Sequence, residues 1–528
     1  MSIPDKIRPN GETFHPPTYL VRFTQSHTSF RRPELEAIAT AFEVEIEILS
    51  YQDGSPFCVM QFPGLTRTQN PGALSRVHEF AKQFVSRSIL AKGIYELYAE
   101  ATTYARLHEK VQALPSTTWH AYRDVSFKFI VEAFYGKRSL PEQRNIIESF
   151  GYLPFHGRIA MKKPDEQFRV FEEWEKLTPE QHSAIDNGID SLVQPDTRTA
   201  AQQSEFEAKA AELFPDRKPK RVFFARYLGS SQRDLIIKHD LKKRPYISTT
   251  SMDAELALVT ASLALAAPGK IFLDPFTGTG GFMVAAAELG AMVLGSDIDG
   301  RSFRGKGTGL DKGIGANLKR YALTDRFGDC LTSDLTNTPF RIPLIASRKT
   351  SRWLDGIICD PPYGIREGLK VLGRRLQDPD TPNGRALHDG PYFVDGVPSH
   401  TLPGFIAPKR PYSFDAMLRD ILDFAARTLV DHARLAFWMP VANDADEEFP
   451  IPVHEQLEIK HNCIQIFNKW SRRLLVYERR PGETGGYGAV DDEQSQLGGQ
   501  VIGRKADELN QFRRMYFSGF QTNSKSKE

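Results

Sequence analysis

The chain alternates helix-like and strand-like segments from residue 246 onward, and this pattern constrains the fold more than any other feature of the sequence. The apolar periodicity predicts helices over 252–266, 282–289, 314–321 and 413–430. Short apolar runs predict strands over 270–274, 291–296, 354–359 and 434–439. Such alternation is typical of a parallel α/β sheet, which the segments 459–467 and 473–477 are expected to close as an antiparallel pair. Ligands of these sheets bind beyond the carboxyl ends of the strands, so the residues that follow each strand form the candidate site.

A glycine-rich turn follows the first of these strands and predicts a cofactor site. The segment Asp274-Pro-Phe-Thr-Gly-Thr-Gly280 joins a strand to a helix, and its glycines allow the backbone to approach a ligand closely. A tight left-handed turn is the alternative explanation. Asp274 suits a cationic amino group and would repel a pyrophosphate, which disfavours a dinucleotide. The cofactor candidates in this turn are Asp274, Phe276, Gly278, Thr279 and Gly280.

Acidic residues also follow the next two strands. Asp297 is placed to accept hydrogen bonds from both hydroxyls of a ribose, with Asp299 as the close alternative. Asp334 suits an adenine amino group, although Asp329 competes for that role and either residue could instead cap a turn. Together these carboxylates fit S-adenosylmethionine, with its amino-acid end on the first loop and its ribose on the second.

The strand over 354–359 ends in Asp360-Pro361-Pro362-Tyr363, which predicts methylation of an exocyclic amino nitrogen. Such a nitrogen is a poor nucleophile because its lone pair is delocalised into the base. The Asp360 carboxylate and the Pro361 carbonyl can accept its two N–H bonds, and the prolines make the turn rigid. Tyr363 offers a flat face on which a base can stack. The alternative is a turn without catalytic function, since Asp-Pro pairs commonly open turns.

The N-terminal half is expected to mix strands and helices. Strands are predicted over 19–23, 44–49, 126–134 and 222–225. Helices are predicted over 76–91, 94–108 and 200–213, with further helices that begin at Pro33 and Ser139. The net charge is only +2, so nucleic-acid binding would have to rest on local basic patches, such as those at 217–226 and 238–244. A solvated surface is the other explanation of these charge runs.

Length and composition bound the class of protein. A chain of 528 residues with 40% hydrophobic and 25% charged residues is typical of a globular protein with roughly two to four domains. The absence of long apolar runs and of a signal-peptide core predicts no membrane span and no secretion. The four cysteines form no Cys-x-x-Cys pair, which favours a reducing, intracellular compartment and no zinc site in this chain.

These motifs resemble those of the eukaryotic tRNA guanosine-10 N2-methyltransferase catalytic subunits, a family of class I methyltransferases with an N-terminal THUMP domain. The resemblance rests on Tyr246-Ile-Ser-Thr-Thr250-Ser-Met-Asp253, Asp274-Pro-Phe-Thr-Gly-Thr-Gly280, Gly295-Ser-Asp297-Ile-Asp299, Cys359-Asp-Pro-Pro-Tyr-Gly-Ile-Arg-Glu367 and Asn468-Lys-Trp-Ser-Arg-Arg-Leu-Leu475. The extended form of the fourth motif is far more specific than its tetrapeptide. The N-terminal half matches mainly by length and order of elements, and the 369–412 loop looks longer than the family's pattern.

The resemblance implies a fold, a reaction and partners. The fold would be a class I Rossmann-like α/β methyltransferase domain with an N-terminal α+β THUMP-type RNA-binding domain. The boundaries would be an α/β subdomain at 1–75, the THUMP-like domain at 76–215, a basic connector at 216–245, the methyltransferase domain at 246–482 and a flexible tail at 483–528. The enzyme would act in the cytoplasm on tRNA, with S-adenosylmethionine as cofactor and a small zinc-binding activator subunit as partner.

The motifs, the basic clusters and the resemblance together give candidate roles to individual residues. The catalytic residues would be Asp360, Pro361, Pro362 and Tyr363, and the mechanism needs no metal. The cofactor-binding residues would be Thr250, Asp274, Phe276, Gly278, Thr279, Gly280, Asp297 and Asp334. The candidate substrate contacts are Arg221, Arg226, Lys242, Arg244 and Arg366, and a salt bridge is an equal alternative for Arg366.

Three rival functions remain. Adenine-N6 methylation of DNA uses the same tetrapeptide, but it predicts a target-recognition region for duplex DNA. Methylation of a protein side-chain amide is disfavoured because that family tends to have Asn where this chain has Asp360. A non-catalytic RNA-binding scaffold is disfavoured because Asp274, Asp297 and Asp360 are all present.

Overall fold

The structure, a computed structural model, divides the chain into two compact units. It describes residues 16–66, 73–186, 200–305, 312–341, 352–364, 369–372, 393–402, 405–406, 408–442, 450–467 and 470–482. The first unit is Met1–Ser26 with Glu43–Gln232, and the second is His27–Phe42 with Arg233–Glu528. A short N-terminal stretch therefore belongs to the second unit.

The described residues of the N-terminal region form seven strands in one sheet and six α-helices. The strands are β1 (Tyr19–Phe23), β2 (Glu47–Tyr51), β3 (Phe57–Gln61), β4 (Ala91–Ala101), β5 (Phe127–Phe134), β6 (Glu166–Trp174) and β7 (Pro219–Ser230). The helices are α1 (Thr28–Ala41), α2 (Ala73–Ser86), α3 (Tyr104–Gln112), α4 (Leu140–Glu148), α5 (Pro179–Asp186) and α6 (Ala200–Leu213). The strand order is β2-β3-β1-β4-β7-β6-β5, and β5 and β6 form the parallel pair of an otherwise antiparallel sheet.

Strand β7 is buried on both faces. Successive side chains of a strand point to opposite sides of the sheet, and each side of β7 packs in its own aromatic cluster. Phe223 packs against Phe57 at a ring-centroid distance of 4.9 Å. Phe224 packs against Phe150 in a second aromatic cluster at 4.6 Å. The predicted strand at 222–225 is therefore confirmed, and it lies inside the sheet.

One predicted helix is wrong and another begins earlier than expected. The segment 94–108 forms the end of β4 and then α3, which Thr103 caps by accepting the Arg106 N–H at 3.4 Å. β4 pairs with β1 on one side and β7 on the other, and this pairing outweighs a helical periodicity that Ile94 and its neighbours also fit. The helix expected to begin at Pro33 is α1, which already begins at Thr28.

The predicted domain boundaries within the N-terminal half stay a prediction. Strands β1 to β3 and β4 to β7 share one sheet. The segment 216–245, expected to be a basic connector, supplies β7 to that sheet. The flexible tail at 483–528 lies outside the described residues.

The second unit contains the predicted parallel sheet. Its strands are β8 (Ile271–Asp274), β9 (Met292–Asp297), β10 (Phe327–Thr332), β11 (Leu354–Cys359), β12 (Lys370–Leu372), β13 (Phe393–Val394), β14 (Val397–Pro398), β15 (Lys409–Pro411), β16 (Leu429–Ala442), β17 (Leu457–Ile466) and β18 (Trp470–Arg479). Its further helices are α7 (Asp234–Lys238), α8 (Ala254–Leu263), α9 (Gly281–Glu288), α10 (Gly300–Arg304), α11 (Gly313–Arg320) and α12 (Phe414–Thr428).

The order of the main sheet in this unit is β10-β9-β8-β11-β16-β18-β17. The parallel strands of this sheet are β10, β9, β8, β11 and β16. β18 pairs antiparallel with β16, and β17 pairs antiparallel with β18. This confirms the class I α/β arrangement and its closing antiparallel pair. The order also makes β9, β8 and β11 direct neighbours, so their carboxyl ends meet at one edge.

The loop at 369–412 is described only in part. Its two ends pair with each other, since β12 and β15 form an antiparallel ladder and the Tyr412 N–H donates to the Leu369 carbonyl at 2.9 Å. Residues 373–392 lie outside the described residues. The expected long insertion thus begins and ends in a two-stranded ladder.

Helix α1 packs on the second unit although it lies between β1 and β2 in the sequence. The Ser29 hydroxyl donates to the Ile464 carbonyl and accepts the Ile464 N–H, both at 2.9 Å. The fully buried Phe30 ring stacks on Trp438 of β16 at 5.8 Å. These contacts fasten α1 to the edge strand β17 and to the core of the second unit.

Candidate active site

Asp274 ends β8 and lies at the centre of an acidic cluster. Its side chain is buried, with 4% exposure, and Oδ1 accepts the Phe276 N–H at 3.0 Å. Burial raises the pKa of the Asp274 carboxyl well above its ordinary value, and the nearby charges of Asp297 and Asp360 raise the pKa further. Three carboxylates from the ends of three neighbouring strands therefore meet here, and a cationic ligand group would relieve their repulsion.

The glycine turn after Asp274 has the conformation that its sequence predicts. Gly278 and Gly280 have φ angles of 51° and 77°, in the left-handed region that favours glycine. A Cβ atom on Gly280 would lie 2.8 Å from the Ile314 side chain. The Gly278 N–H donates to Asp297 Oδ2 at 2.9 Å, so this turn is fastened to the end of β9.

The structure distinguishes Asp297 from Asp299. Asp297 Oδ1 accepts the Asp299 N–H at 2.9 Å, so both oxygens of Asp297 are oriented by backbone groups. Asp299 instead forms ion pairs with Arg301 at 2.5 Å and Lys409 at 3.5 Å. Hydrogen bonds from Arg301 and the charge of Lys409 hold the pKa of Asp299 below its ordinary value. This arrangement favours Asp297 as the residue for a ribose.

Asp334 and Asp329 differ in their hydrogen-bond partners. Asp334 Oδ1 accepts the backbone N–H of Thr336 at 2.9 Å and its hydroxyl at 2.7 Å, and Oδ2 accepts the Leu372 N–H. Asp329 is exposed and accepts the Cys330 N–H at 2.7 Å. Asp334 thus caps a turn and fastens the start of the 369–412 loop, and its contact with adenine stays a prediction.

Asp360 follows β11 directly and is hydrogen-bonded within its own turn. The Tyr363 hydroxyl donates to Asp360 Oδ1 at 2.5 Å. Burial raises the pKa of the Asp360 carboxyl above its ordinary value, while the Tyr363 hydrogen bond and the charge of Arg472 act in the opposite direction. Pro361 is buried and Pro362 is exposed. Stacking of a base on Tyr363 stays a prediction, and the hydroxyl contact is a role that the sequence did not indicate.

Arg472 on β18 is a residue of this site that was not predicted from the sequence. It forms a hydrogen bond with Tyr363, and its charge acts on Asp360. Its Nε donates to Gln465 Oε1 at 2.6 Å. It belongs to the motif at 468–475, which carries the family resemblance but had no predicted function.

The glycine turn is held by Ser251 rather than by Thr250. The Ser251 and Thr279 hydroxyls lie 2.8 Å apart, whereas the exposed Thr250 contacts Ser248. Asn317 Nδ2 donates to the Thr279 carbonyl at 3.2 Å. Ser251 and Asn317 were not predicted, and the cofactor contact proposed for Thr250 stays a prediction.

Two of the candidate substrate contacts lie in the first unit and already form ion pairs. Arg226 is paired with Glu96 at 2.9 Å and with Glu166 at 3.1 Å. Arg221 is paired with Glu100 at 2.8 Å. These pairs give both arginines a role within the sheet, and their contacts with tRNA phosphates stay predictions.

The other three candidate substrate contacts belong to the second unit. Lys242 is exposed, and Arg244 is buried. Burial lowers the pKa of the Arg244 guanidinium, which is the opposite of what a phosphate contact does. Arg366 lies outside the described residues.

The first unit contains a basic cavity of about 490 Å³ between β4, α3 and β7. Three cationic side chains, Arg106, Lys110 and Arg221, and one carboxylate, Glu100, line it together with Tyr98. Lys110 Nζ donates to the Glu100 carbonyl at 2.8 Å. The net positive lining suits a phosphate group.

Two negative findings apply to the described part of the chain. No helix there is long and apolar enough to cross a membrane. No group of three or more His, Cys, Asp or Glu side chains in the same residues is arranged to hold a metal ion.

The chain is similar to two described families and to several known proteins. Residues 17–189 match the family described as the Tmrp11 THUMP N-terminal domain, and residues 242–325 match the RMKL-like methyltransferase domain. A Saccharomyces cerevisiae protein named tRNA (guanine(10)-N(2))-methyltransferase is 38% identical over 95% of this chain and 99% of its own. A Schizosaccharomyces pombe protein of the same name is 34% identical over 95% and 96%. A solved structure, TrmN from Thermus thermophilus, aligns with 88% of this chain and 99% of its own at 15% identity and a TM-score of 0.36.

Proposed function

The chain belongs to the tRNA (guanine(10)-N2)-methyltransferase family, and we propose that it transfers a methyl group from S-adenosylmethionine to the N2 amine of guanosine 10 in tRNA. The observation that carries the proposal is the meeting of Asp274, Asp297 and Asp360 at the ends of β8, β9 and β11. Two of these carboxylates suit the cofactor, and the third suits the amine that is methylated.

The chemistry of the cofactor pocket fits S-adenosylmethionine. Its ammonium, ribose hydroxyls and adenine amine are all hydrogen-bond donors, and the pocket offers carboxylate acceptors. We assign the ammonium to Asp274, the ribose to Asp297 and the adenine amine to Asp334. Gly278 and Gly280 have positive φ angles that favour glycine, and because glycine has no Cβ the cofactor can approach their backbone closely. When bound, the cofactor supplies an electrophilic methyl group.

In this mechanism the catalytic turn orients the base and its amine. The target guanosine is extruded from its stack, which costs a few kcal/mol. The Asp360 carboxylate and the Pro361 carbonyl accept the two N–H bonds of the amine, and the lone pair of the nitrogen is directed towards the methyl group. The negative charge of Asp360 stabilises the positive charge that develops on the nitrogen.

The first unit is assigned to tRNA binding. The THUMP match covers residues 17–189, which includes most of the lining of the basic cavity. Arg106 and Lys110 lie one helical turn apart on α3 and border the cavity together with Arg221. We assign tRNA phosphates to this cavity, and Arg221 is the sequence-predicted substrate contact that it supports.

The active enzyme is further proposed to be a heterodimer with a small zinc-binding activator subunit. This assignment rests on the family resemblance, as does the cytoplasmic location. The activator would cover an apolar edge of the methyltransferase domain. Its zinc site would belong to the activator and not to this chain.

The test is transfer of labelled methyl from S-adenosylmethionine to unmodified tRNA by the full chain, with and without the activator. Nucleoside analysis should give N2-methylguanosine, and a tRNA with adenosine at position 10 should give none. Product only in the presence of the activator would support the heterodimer. Methylation of a parallel duplex DNA substrate, or no tRNA product from a chain that binds the cofactor, would contradict the proposed substrate.

A further inference from the structure

A series of side-chain contacts connects Asp360 to the antiparallel end of the sheet. The Tyr363 hydroxyl donates to Asp360 Oδ1 at 2.5 Å, and Arg472 hydrogen-bonds to the same Tyr363. A guanidinium has donors only, so the Tyr363 oxygen must accept from Arg472. The hydroxyl proton is then directed to Asp360. Arg472 thus sets the direction of the hydrogen bond that the catalytic carboxylate receives.

Arg472 itself is held in place by its neighbours on three sides. Its Nε donates to Gln465 Oε1 at 2.6 Å across the β17–β18 pair. Its guanidinium carbon lies 4.7 Å from the ring centroid of Trp438 and 5.6 Å from that of Phe467. A guanidinium that stacks on aromatic rings and forms a directed hydrogen bond loses little further freedom when it binds Tyr363.

The aromatic support of Arg472 is itself rigid. Trp438 is fully buried, and its indole N–H donates to the Thr260 hydroxyl at 3.2 Å. Phe30 of α1 stacks on the same indole at 5.8 Å. Core packing therefore fixes Trp438, and Trp438 fixes the position of Arg472.

We propose that Arg472 is a positioning residue for methyl transfer, which holds Tyr363 and, through it, the Asp360 carboxylate in the orientation that receives the amine. The proposal rests on the proposed function of Asp360. It gives the motif at 468–475 a purpose, since this motif supplies the cation that faces the catalytic turn.

Arg472 also balances the charge around Asp360. Among the residues that the structure describes, the titratable and charged groups that face Asp360 are Asp274 at the end of β8, Cys359 on β11, Tyr363 in the turn and Arg472 on β18. Asp274 repels the ionised form of Asp360, and Arg472 attracts it. Removal of the cation should therefore raise the pKa of Asp360.

The experiment compares Arg472→Gln and Arg472→Lys with the wild-type chain, each assayed with the activator on unmodified tRNA. Arg480→Gln is the matched control, because Arg480 is an exposed arginine directly after the last residue of the same strand. The measured quantities are kcat, KM for tRNA, cofactor affinity by calorimetry and kcat as a function of pH.

We expect Arg472→Gln to lower kcat by about 10²-fold, the effect of a misplaced reacting group, with cofactor affinity within twofold of wild type. The acid limb of the kcat profile should move up by about one pH unit. Arg472→Lys keeps the charge and should restore the position of the limb and part of kcat. Arg480→Gln should match wild type.

A double substitution tests whether Arg472 acts through Tyr363. In a Tyr363→Phe background the hydroxyl that Arg472 orients is absent, so Arg472→Gln should cost far less there than in the wild-type chain. Independent, multiplicative losses would overturn the proposal, even if Arg472→Gln proves too unstable to interpret alone.

Two further outcomes overturn it. One is an unchanged kcat and acid limb in Arg472→Gln. The other is a parallel loss of cofactor affinity and kcat in both Arg472 variants, which would make the residue merely structural. Failure of the proposed function is a separate result, since the wild-type chain would then produce no N2-methylguanosine.

Discussion

At the scale of single residues, the role proposed for Asp360 is served best by an ionised carboxylate, although burial of this carboxyl favours its protonated form. Tyr363 and Arg472 oppose that tendency without removing it. Activity should therefore decline as the pH falls through a value above the ordinary pKa of an aspartate, which is about 3.9.

Asp360→Asn should lower kcat by about 10²-fold or more, because an amide is a poorer acceptor and carries no charge to stabilise the transition state. Calorimetry should show cofactor binding close to wild type, and the acid limb of kcat should disappear from any residual activity. A collapse of cofactor affinity together with activity would contradict the role given to Asp360.

Asp274 is expected to stabilise the bound cofactor and to destabilise the folded chain. Its raised pKa means that the folded state holds a proton that the unfolded state has lost, so stability falls as the pH rises from the ordinary pKa towards the raised one. Asp274→Asn should raise the melting temperature of the ligand-free chain at neutral pH, by about 2–4 °C for each kcal/mol gained in the free energy of unfolding. The same substitution should abolish cofactor binding. Differential scanning calorimetry and titration calorimetry measure the two effects.

Asp299→Asn is the matched control for that prediction, with the opposite sign. Asp299 has a depressed pKa because of Arg301 and Lys409, so its pairing contributes stability above the ordinary pKa that is lost as the pH falls. The pair is partly exposed, which reduces its contribution, and a small loss of stability is expected. A rise in melting temperature in both variants would contradict the charge-repulsion account of Asp274.

The residues that the sequence predicted are those whose role follows from local position. Asp274 ends β8 and Asp360 directly follows β11, and the order of the strands then brings them together. Arg472 and Ser251 come to the site from distant parts of the chain, through strand pairing and loop packing. Both residues belong to motifs that carry the family resemblance, but the sequence does not show which side chains they contact.

At the scale of secondary-structure elements, most of the second unit was predictable because short apolar runs that end near Asp, Gly or Pro alternate with longer segments rich in Ala and Leu. The segment 94–108 was not, since aromatic and apolar residues such as Tyr95 and Leu97 fit a helix and a strand equally well. Its two neighbouring strands, which are remote in sequence, decide in favour of β4. Nothing in the sequence predicted that α1 belongs to the second unit.

The docking of α1 leads to a prediction about stability. Phe30→Ala removes a fully buried ring that stacks on Trp438, and it should lower the free energy of unfolding of the second unit by about 3 kcal/mol. Denaturant titration followed by Trp fluorescence measures this loss. Leu140→Ala, at a side chain that is 80% exposed, is the control and should change stability little. Equal stability of the two variants would show that α1 does not contribute to the core.

At the scale of the whole molecule, the proposed division of labour separates RNA binding from chemistry. Lining residues of the basic cavity belong to the first unit, and the acidic cluster belongs to the second. Changes in the cavity should therefore affect KM for tRNA and its dependence on salt, without a change in cofactor binding.

The double variant Arg106→Glu with Lys110→Glu tests this separation. It should weaken tRNA binding by at least about tenfold. It should also reduce the slope of log affinity against log salt concentration by about two, one for each phosphate that the variant no longer neutralises. Filter binding at several salt concentrations measures both quantities. Lys82→Glu with Lys209→Glu is the control, because these lysines belong to the same unit and are paired with acidic neighbours. An equal loss of affinity in both double variants would mean that total charge, and not the cavity, determines tRNA binding.

The contact between Ser29 and Ile464 also has a consequence for how the chain is made. The two residues are 435 positions apart, and a ribosome that adds about 5–20 residues per second needs roughly 20 to 90 s to cover that distance. During most of this time α1, with its apolar side chains Phe30, Leu35 and Ile38, has left the ribosome. Strand β17, on which α1 packs, has not yet been synthesised. The helix near the start of the chain thus completes its packing only when the end of the chain arrives, and a nascent chain that stops before β17 leaves those side chains available to chaperones.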